Sequence, residues 1–342
     1  VTSTQKVFFF KQMALMLRSG MSLTQALDVI VNLQGGRLRR VAADVNLRVK
    51  SGESFSSAME HYRSLFTLLA VQMIRSAEAT GEIDRALDRI AEYVERQAAL
   101  KKEVMSAMFY PAFTLLAAIG VFVFLLVYII PKFENFLLDT GRSVPPSTQL
   151  MIDLGDFFVG NWIAILVSLF LLMIALVLIY RQPAGRLFID HVLIRIPVVG
   201  KVIISAAMAQ ISWAMGMLLK SGVPIVQALR IISSMIGNRV IANSVGMATE
   251  RIIHGQNMGT SFNQPYITKL VMQLMSVGEQ SGNLVPIMNE ANSYYETDLQ
   301  ARTRQLANMV EPMAILLIGG IVGFIYYGFF QAILSLSSGG GI

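Results

Sequence analysis

No cysteine occurs in the 342 residues. That excludes a disulfide framework and thiolate metal sites, and it agrees with folded domains kept in a reducing compartment. Charge is scarce as well. Asp, Glu, Lys and Arg make up 15% of the chain against 54% hydrophobic residues, and mean hydropathy is positive, too apolar for an ordinary soluble protein of this length. Catalytic signatures are missing. His61, His191 and His254 stand apart in sequence, and there is no H-E-x-x-H, no G-x-x-x-x-G-K-[ST] and no nucleophile elbow. An enzyme, a cofactor and a metal ion are therefore not expected. The net charge of +6 lacks the aromatic-basic interleaving of a nucleic-acid binder, so nucleic acid is not an expected partner. The chain opens on Val1 without an initiator methionine or a signal-peptide pattern, and a native segment is expected to precede it.

What is present in quantity is long apolar runs. Residues 112–130 and 162–180 are each 19 residues without a charge, and residues 313–334 are 22. At about 1.5 Å per residue, 19 helical residues reach roughly 28 Å, enough to cross the hydrocarbon core. Three transmembrane helices follow. Trp162 and Tyr180 bracket the second, and Tyr326 and Tyr327 lie in the third, as interfacial aromatics do. Residues 1–111 carry 15 Lys and Arg and residues 181–312 carry 11, whereas the connector 131–161 has only Lys132 and Arg142 against four carboxylates. Because basic residues near a span stay in the cytoplasm, both large polar parts are expected there. The connector and the tail 335–342 are then periplasmic.

The chain repeats itself. LRSGMSLTQAL from Leu17 matches LKSGVPIVQAL from Leu219 with six identities in eleven at an offset of 202, and EATGEI from Glu78 matches EQSGNL from Glu279 at an offset of 201, as Pro111 matches Pro312. One residue is lost between the two anchors. The fold class expected is an all-α membrane protein with two repeated cytoplasmic helical-bundle domains, 1–111 and 181–312, and three transmembrane helices. Phe9, Met13, Met16 and Leu17 follow helical spacing, and Gly20 sits where a left-handed residue would stop that helix. Ser22 and Gln25 form a capping box for the next one; in the second copy Gly222 keeps the stop and Pro224 presets φ in the first turn. Long helices are expected from Ile83 and Leu284, entering the membrane with a kink at Pro111 and Pro312.

Several residues admit both a bland and a functional reading. Glu78 with Gly81, and Glu279 with Gly282, would form docking corners for a partner, or would serve a helix dipole and the backbone. Arg37, Arg39 and Arg40, with Arg48 and Lys50 nearby, would meet anionic lipid or an acidic protein face, or be a solvated loop. Residues 181–202 alternate basic and apolar residues and read as a collar at the inner membrane surface, turned by Pro197 and Gly200 into the second domain. Glu311, at the junction before Pro312, is either functional or a snorkelling carboxylate.

The doubled SG…QAL and E-x-[ST]-G turns, Pro111 and Pro312, GRSVPPST from Gly141 and PAGRLFIDHVLIRIPVVGKV from Pro183 resemble the type II secretion F / type IV pilus PilC family of inner-membrane platform proteins, over essentially the whole chain. The resemblance implies a non-enzymatic, homo-oligomeric assembly protein. It also implies contact with a hexameric cytoplasmic assembly ATPase, with pilin or pseudopilin subunits, with other inner-membrane components and with membrane lipid. The alternative from another class is an oligomeric channel or transporter subunit. It would need polar residues along one face of the spans, which hold no Asp, Glu, Lys, Arg or His; Gly319, Gly320 and Gly323 in the third span suggest close helix contact instead. A membrane-embedded enzyme would need a nucleophile and base at membrane depth, and no such pair is found.

Because the chain has no cysteine of its own, topology is directly testable. Single cysteines placed in 1–111 or 181–312 are expected to react with a membrane-impermeant thiol reagent only after the inner membrane is opened; labelling of either part in sealed cells overturns the orientation.

Overall fold

The computed structural model describes residues 1–129, 131–132 and 146–338. Residues 133–145 of the connector, which include the first five residues of GRSVPPST, and the end of the tail lie outside them. The described residues form helices joined by turns and short loops, with no strand, and the chain divides into two units: Val1–Val104 with Leu187–Arg302, and Met105–Arg186 with Thr303–Ile342.

The first unit holds both repeats. The first copy runs α1 (Ser3–Arg18), α2 (Leu23–Leu33), α3 (Gly36–Lys50), α4 (Phe55–Glu60), α5 (Leu68–Thr80) and the start of α6 (Ile83–Phe124). Two helices then intervene, α7 (Pro146–Arg181) and α8 (Pro183–Arg195). The second copy follows as α9 (Val199–Lys220), α10 (Ile225–Met235), α11 (Arg239–Ile253), α12 (Met258–Ser261), α13 (Lys269–Ser281) and the start of α14 (Leu284–Ser338). The order is the same, helix for helix.

Local chemistry sets the boundaries. The capping box at α2 is formed, with Gln25 N donating to Ser22 Oγ (3.3 Å) and Ser22 N to Gln25 Oε1 (3.0 Å). Gly20 and Gly222 end their helices at φ +86° and +77°, in the left-handed region that costs glycine little. Pro224 differs from expectation by one position. Helix α10 begins at Ile225, so Pro224 is the N-cap with ψ 145°, where its ring fixes the chain entering the helix. Phe9, Phe10, Met13, Leu27, Phe55 and Phe66 are fully buried in the first copy, and Met208, Met215, Leu229 and Phe262 in the second, within one continuous apolar core. Burying each such side chain is worth about 1.5–3 kcal/mol.

Among the described residues four helices are long and apolar enough to cross a membrane, one more than the three expected. The fourth is α9. Of its most apolar 18-residue window 61% is buried, against 0–6% in the other three. A helix whose apolar surface is already covered by protein has none left to offer lipid, so α9 is a core helix.

The second unit contains the apolar ends of α6 and α14 and all of α7, whose surfaces are mostly bare: Phe113, Leu116, Leu169, Phe170, Ile315 and Leu316 are all more than half exposed. Side chains this apolar are stable uncovered only in lipid. The α6 helix passes into a single π turn over Leu125–Ile129, and Phe122 meets Phe158 of α7 edge-on at 5.9 Å. The α7 helix starts at Pro146, earlier than the expected span, with a non-helical residue at Asn161 just before Trp162. A Cβ added at Gly319, Gly320 or Gly323 would have nothing within 4 Å, so the close helix contact suggested for them is not made among the described residues.

Two glycines separate two kinds of strain. At Gly282 (φ +70°) an added Cβ meets open space, whereas at Gly200 it would fall 1.8 Å from the backbone oxygen of Ile194. We expect Gly282→Ala to cost about 1–2 kcal/mol through its left-handed backbone alone, and Gly200→Ala to cost more, read as a larger fall in Tm of the detergent-solubilised chain. Equal losses would refute the distinction.

Candidate functional site

The two copies pack on each other inside the first unit by different faces. Copy one offers α5 and α6. Copy two offers α9, α10 and α14. At the centre Tyr93 stacks on Trp213, ring centroids 4.7 Å apart and planes 16° from parallel, an arrangement worth about 0.5–1.5 kcal/mol beyond its buried area. Burial pushes the Tyr93 phenol up to about 12 against a hydrogen bond from Gln210, so it stays neutral. Beside it the Arg96 guanidinium grips both carboxylate oxygens of Glu296 in a bidentate pair, the geometry that suits arginine over lysine. Asn292, with its amide turned to satisfy its neighbours, accepts from Arg96 (3.0 Å) and donates to Ala209 O (3.2 Å). Arg89 donates to Ser221 Oγ (2.7 Å) and Ser76 Oγ to Ser221 O (3.0 Å). Gln227 donates to Gln72 (2.8 Å) and Gln300 to Glu103 (3.3 Å) at the two ends.

The repeated turns are built alike. Gly81 and Gly282 are the left-handed caps of α5 and α13, one residue before the turn into α6 and α14. Glu78 reaches the first turn of α4, accepting from Ser56 N (3.1 Å) and Ser56 Oγ (2.5 Å). Glu279 does the same for α12, accepting from Met258 N (2.8 Å). Each carboxylate therefore satisfies a donor that a helix start leaves unpaired and sits at its positive end. The dipole it serves belongs to the preceding short helix and not to the one it leads into.

Arg37, Arg39 and Arg40 occupy the first turn and a half of α3. Arg37 donates to Ser64 Oγ (3.0 Å), and Arg39 and Arg40 are exposed. Arg48 and Lys50 lie at the far end of that helix, where Arg48 pairs with Asp44 and Glu53 and Lys50 with Asp28. The structure thus separates the two halves of the basic cluster. Pro111 and Pro312 lie inside α6 and α14, and Glu311 is helical beside Pro312.

A crevice also recurs in each copy. In the second it is lined by Lys201, Ser205, Thr268, Tyr295, Asp298 and Arg302; in the first, by Ser3, Thr67, Tyr93, Gln97 and Lys101 among others. Burial opposes ionisation of Asp298, but hydrogen bonds from Arg302 and Ser205 outweigh it and hold the carboxyl below its usual range. No group of three or more His, Asp or Glu able to hold a metal ion occurs among the described residues.

Sequence reasoning found the repeated turns and missed the contact between the copies. The signal was divergence at matched positions: Trp213 stands where the first copy has Lys11, and Arg96 where the second has Thr297.

Together these features define an all-helical membrane protein built around a duplicated six-helix domain. The family described as "Type II secretion system (T2SS), protein F" matches residues 9–131 and again residues 214–332, once per copy. The chain belongs to this family. It is 30% identical over 331 residues to the type IV pilus assembly protein PilC of Myxococcus xanthus, covering 96% of this chain and 79% of that protein. It is 31% identical to PilC of Thermus thermophilus, covering 96% and 81%. It is 32% identical over 308 residues to the type II secretion system protein F of Xanthomonas campestris, covering 89% and 76%.

The pairing across the copies makes a quantitative expectation. In a double-mutant cycle, Arg96→Ala and Glu296→Ala are expected to couple by between about 0.5 and 3 kcal/mol in unfolding free energy, since either single change strands a half-buried charge. Additive losses would show that the pair contributes nothing.

Proposed function

We propose that this chain is the inner-membrane platform on which a type IV pilus or a type II secretion pseudopilus is assembled, acting without chemistry of its own. The supporting observation is mechanical. Two copies of one domain are locked together in a single unit, and each continues past its own proline along one long helix, α6 of 42 residues and α14 of 55, whose far part is apolar. A continuous helix carries a tilt or rotation over its length, whereas a flexible linker would dissipate it. In this reading three helices span the membrane, both copies face the cytoplasm and the C-terminus is periplasmic. A hexameric assembly ATPase moves the paired copies, and the spans pass that movement to pilin or pseudopilin subunits alongside other inner-membrane components.

The exposed Arg39 and Arg40, with Arg37, are the proposed contact for an acidic partner face or anionic lipid. The turns at Glu78–Gly81 and Glu279–Gly282 are proposed to shape docking corners through the short helices they cap. Helix α8, with Phe188 69% exposed, is proposed to lie along the inner membrane surface. Because both copies share one apolar core, a binding experiment with the ATPase calls for the full chain as bait in preference to residues 1–111.

The lever reading has a direct test. Three glycines inserted after Tyr110 or after Glu311 are expected to abolish fibre growth or secretion while the protein still inserts and accumulates in the membrane. Normal fibres in both variants would remove the idea.

A further inference from the structure

Equivalent positions in the two copies do not make equivalent contacts. Tyr93 of the first copy is 6% exposed against Trp213, while its counterpart Tyr294 is 54% exposed; Met217 of the second copy is 9% exposed, while its counterpart Leu15 is 63% exposed. The contact between the copies is therefore head-to-tail: the α5/α6 face of one meets the α9/α10/α14 face of the other. A two-fold arrangement would have used both faces twice. A heterologous contact leaves one unused face of each kind, matching in backbone position the two faces that the internal contact joins. Here the unused faces are α13/α14 of the second copy and α1/α2 of the first.

We propose that a second copy of this chain occupies them, so that the α13/α14 face of one chain docks on the α1/α2 face of the next. This rests on reading the chain as a self-associating platform, and it names the surfaces and their polarity. The matched positions predict the contacts. Tyr294 lies over Lys11, a cation on an aromatic face where the internal contact has Tyr93 on Trp213. Glu290, matching Arg89, comes to Ser19 beside Arg18. Val277, matching Ser76, also comes to Ser19. Arg304, matching Glu103, comes within a turn of Glu95. Both charges are reversed from those of the internal contact, where Arg89 meets Ser221 and Glu103 meets Gln300, and in the new contact each comes near a charge of opposite sign. In the single chain Lys11 pairs with Glu95, and Arg18 with Asp84 and Asp88, so the receiving face is held in order by its own ion pairs. The reversal also discourages a first-copy face from docking where a second-copy face belongs.

The absence of native cysteine makes the test clean. A full-length Ser19→Cys chain and a full-length Val277→Cys chain, differently tagged and expressed together, are oxidised or treated with a short bifunctional thiol reagent in membranes. A covalent dimer carrying both tags is expected, with none from either chain alone. A single chain carrying Ser76→Cys and Ser221→Cys serves as the internal control, because that pair is in contact already. If the control links and the mixed pair does not, or if Val277→Cys chains link to each other, the proposed surface is wrong. The native mass of the unmodified chain in mild detergent separates the two ideas: an oligomer without the mixed link overturns only this surface, and a monomer without it overturns self-association as well. Independently, Tyr294→Lys, which sets a like charge against Lys11, is expected to lower the native mass to that of one chain, and an unchanged oligomer mass overturns the proposal.

Discussion

A duplicated domain has to become unequal before its copies can pack by different faces. That inequality is carried by Tyr93 on Trp213 and by Arg96 on Glu296. Without Trp213 the α9 face would present a lysine at that position, as α1 presents Lys11, and Tyr93 would lose the ring it stacks on. Fixing the two copies in one unit also fixes which faces remain, because each surface used internally in one copy is left open in the other. The internal contact and the open surfaces follow from a single asymmetric choice.

The membrane places a second constraint on the same sequence. Apolar length alone does not tell a lipid-facing helix from a core helix, and α9 shows why: its 22 residues are apolar enough to span, but they are rich in Ala, Ser and Gly, with Ser205, Ser212 and Gly216 all buried. Small residues of this kind let neighbouring helices approach closely, whereas α7 carries a run of Leu, Ile, Phe and Val whose bulk faces outward. Lys201 and Lys220 near its two ends also leave α9 a shorter uncharged stretch. Side-chain size and the position of charges separate the two classes where hydropathy does not.

Much of the architecture was legible because helix punctuation is local. Gly20, Gly81, Gly222 and Gly282 mark left-handed stops, and Ser22 with Gln25 marks a start, each readable from a few adjacent residues. Pro224 was displaced by one position because proline is tolerated both at the cap and just inside it. The role of Glu78 and Glu279 was half legible. A carboxylate near a helix start was foreseen, but the helix it serves lies about twenty residues back in the chain, and which of two flanking helices a side chain turns toward depends on packing. The contact between the copies was not read at all, since its partners are separated by more than a hundred residues and no local pattern encodes them.

The comparison of copies separates two kinds of residue. Where both copies keep the same chemistry, as at Glu78 and Glu279 or Gly81 and Gly282, the residue completes a helix end within its own domain; the need is internal and is the same twice. Where matched positions differ, as at Lys11 and Trp213, Arg89 and Glu290 or Arg96 and Thr297, one member of each pair (Trp213, Arg89 and Arg96) meets the other copy, and the two copies have different neighbours. An assembly platform requires both: a domain rigid enough to be duplicated whole, and surfaces altered enough that each copy has a place that the other does not fit. In this chain the invariant turns supply the first and the divergent helix faces supply the second.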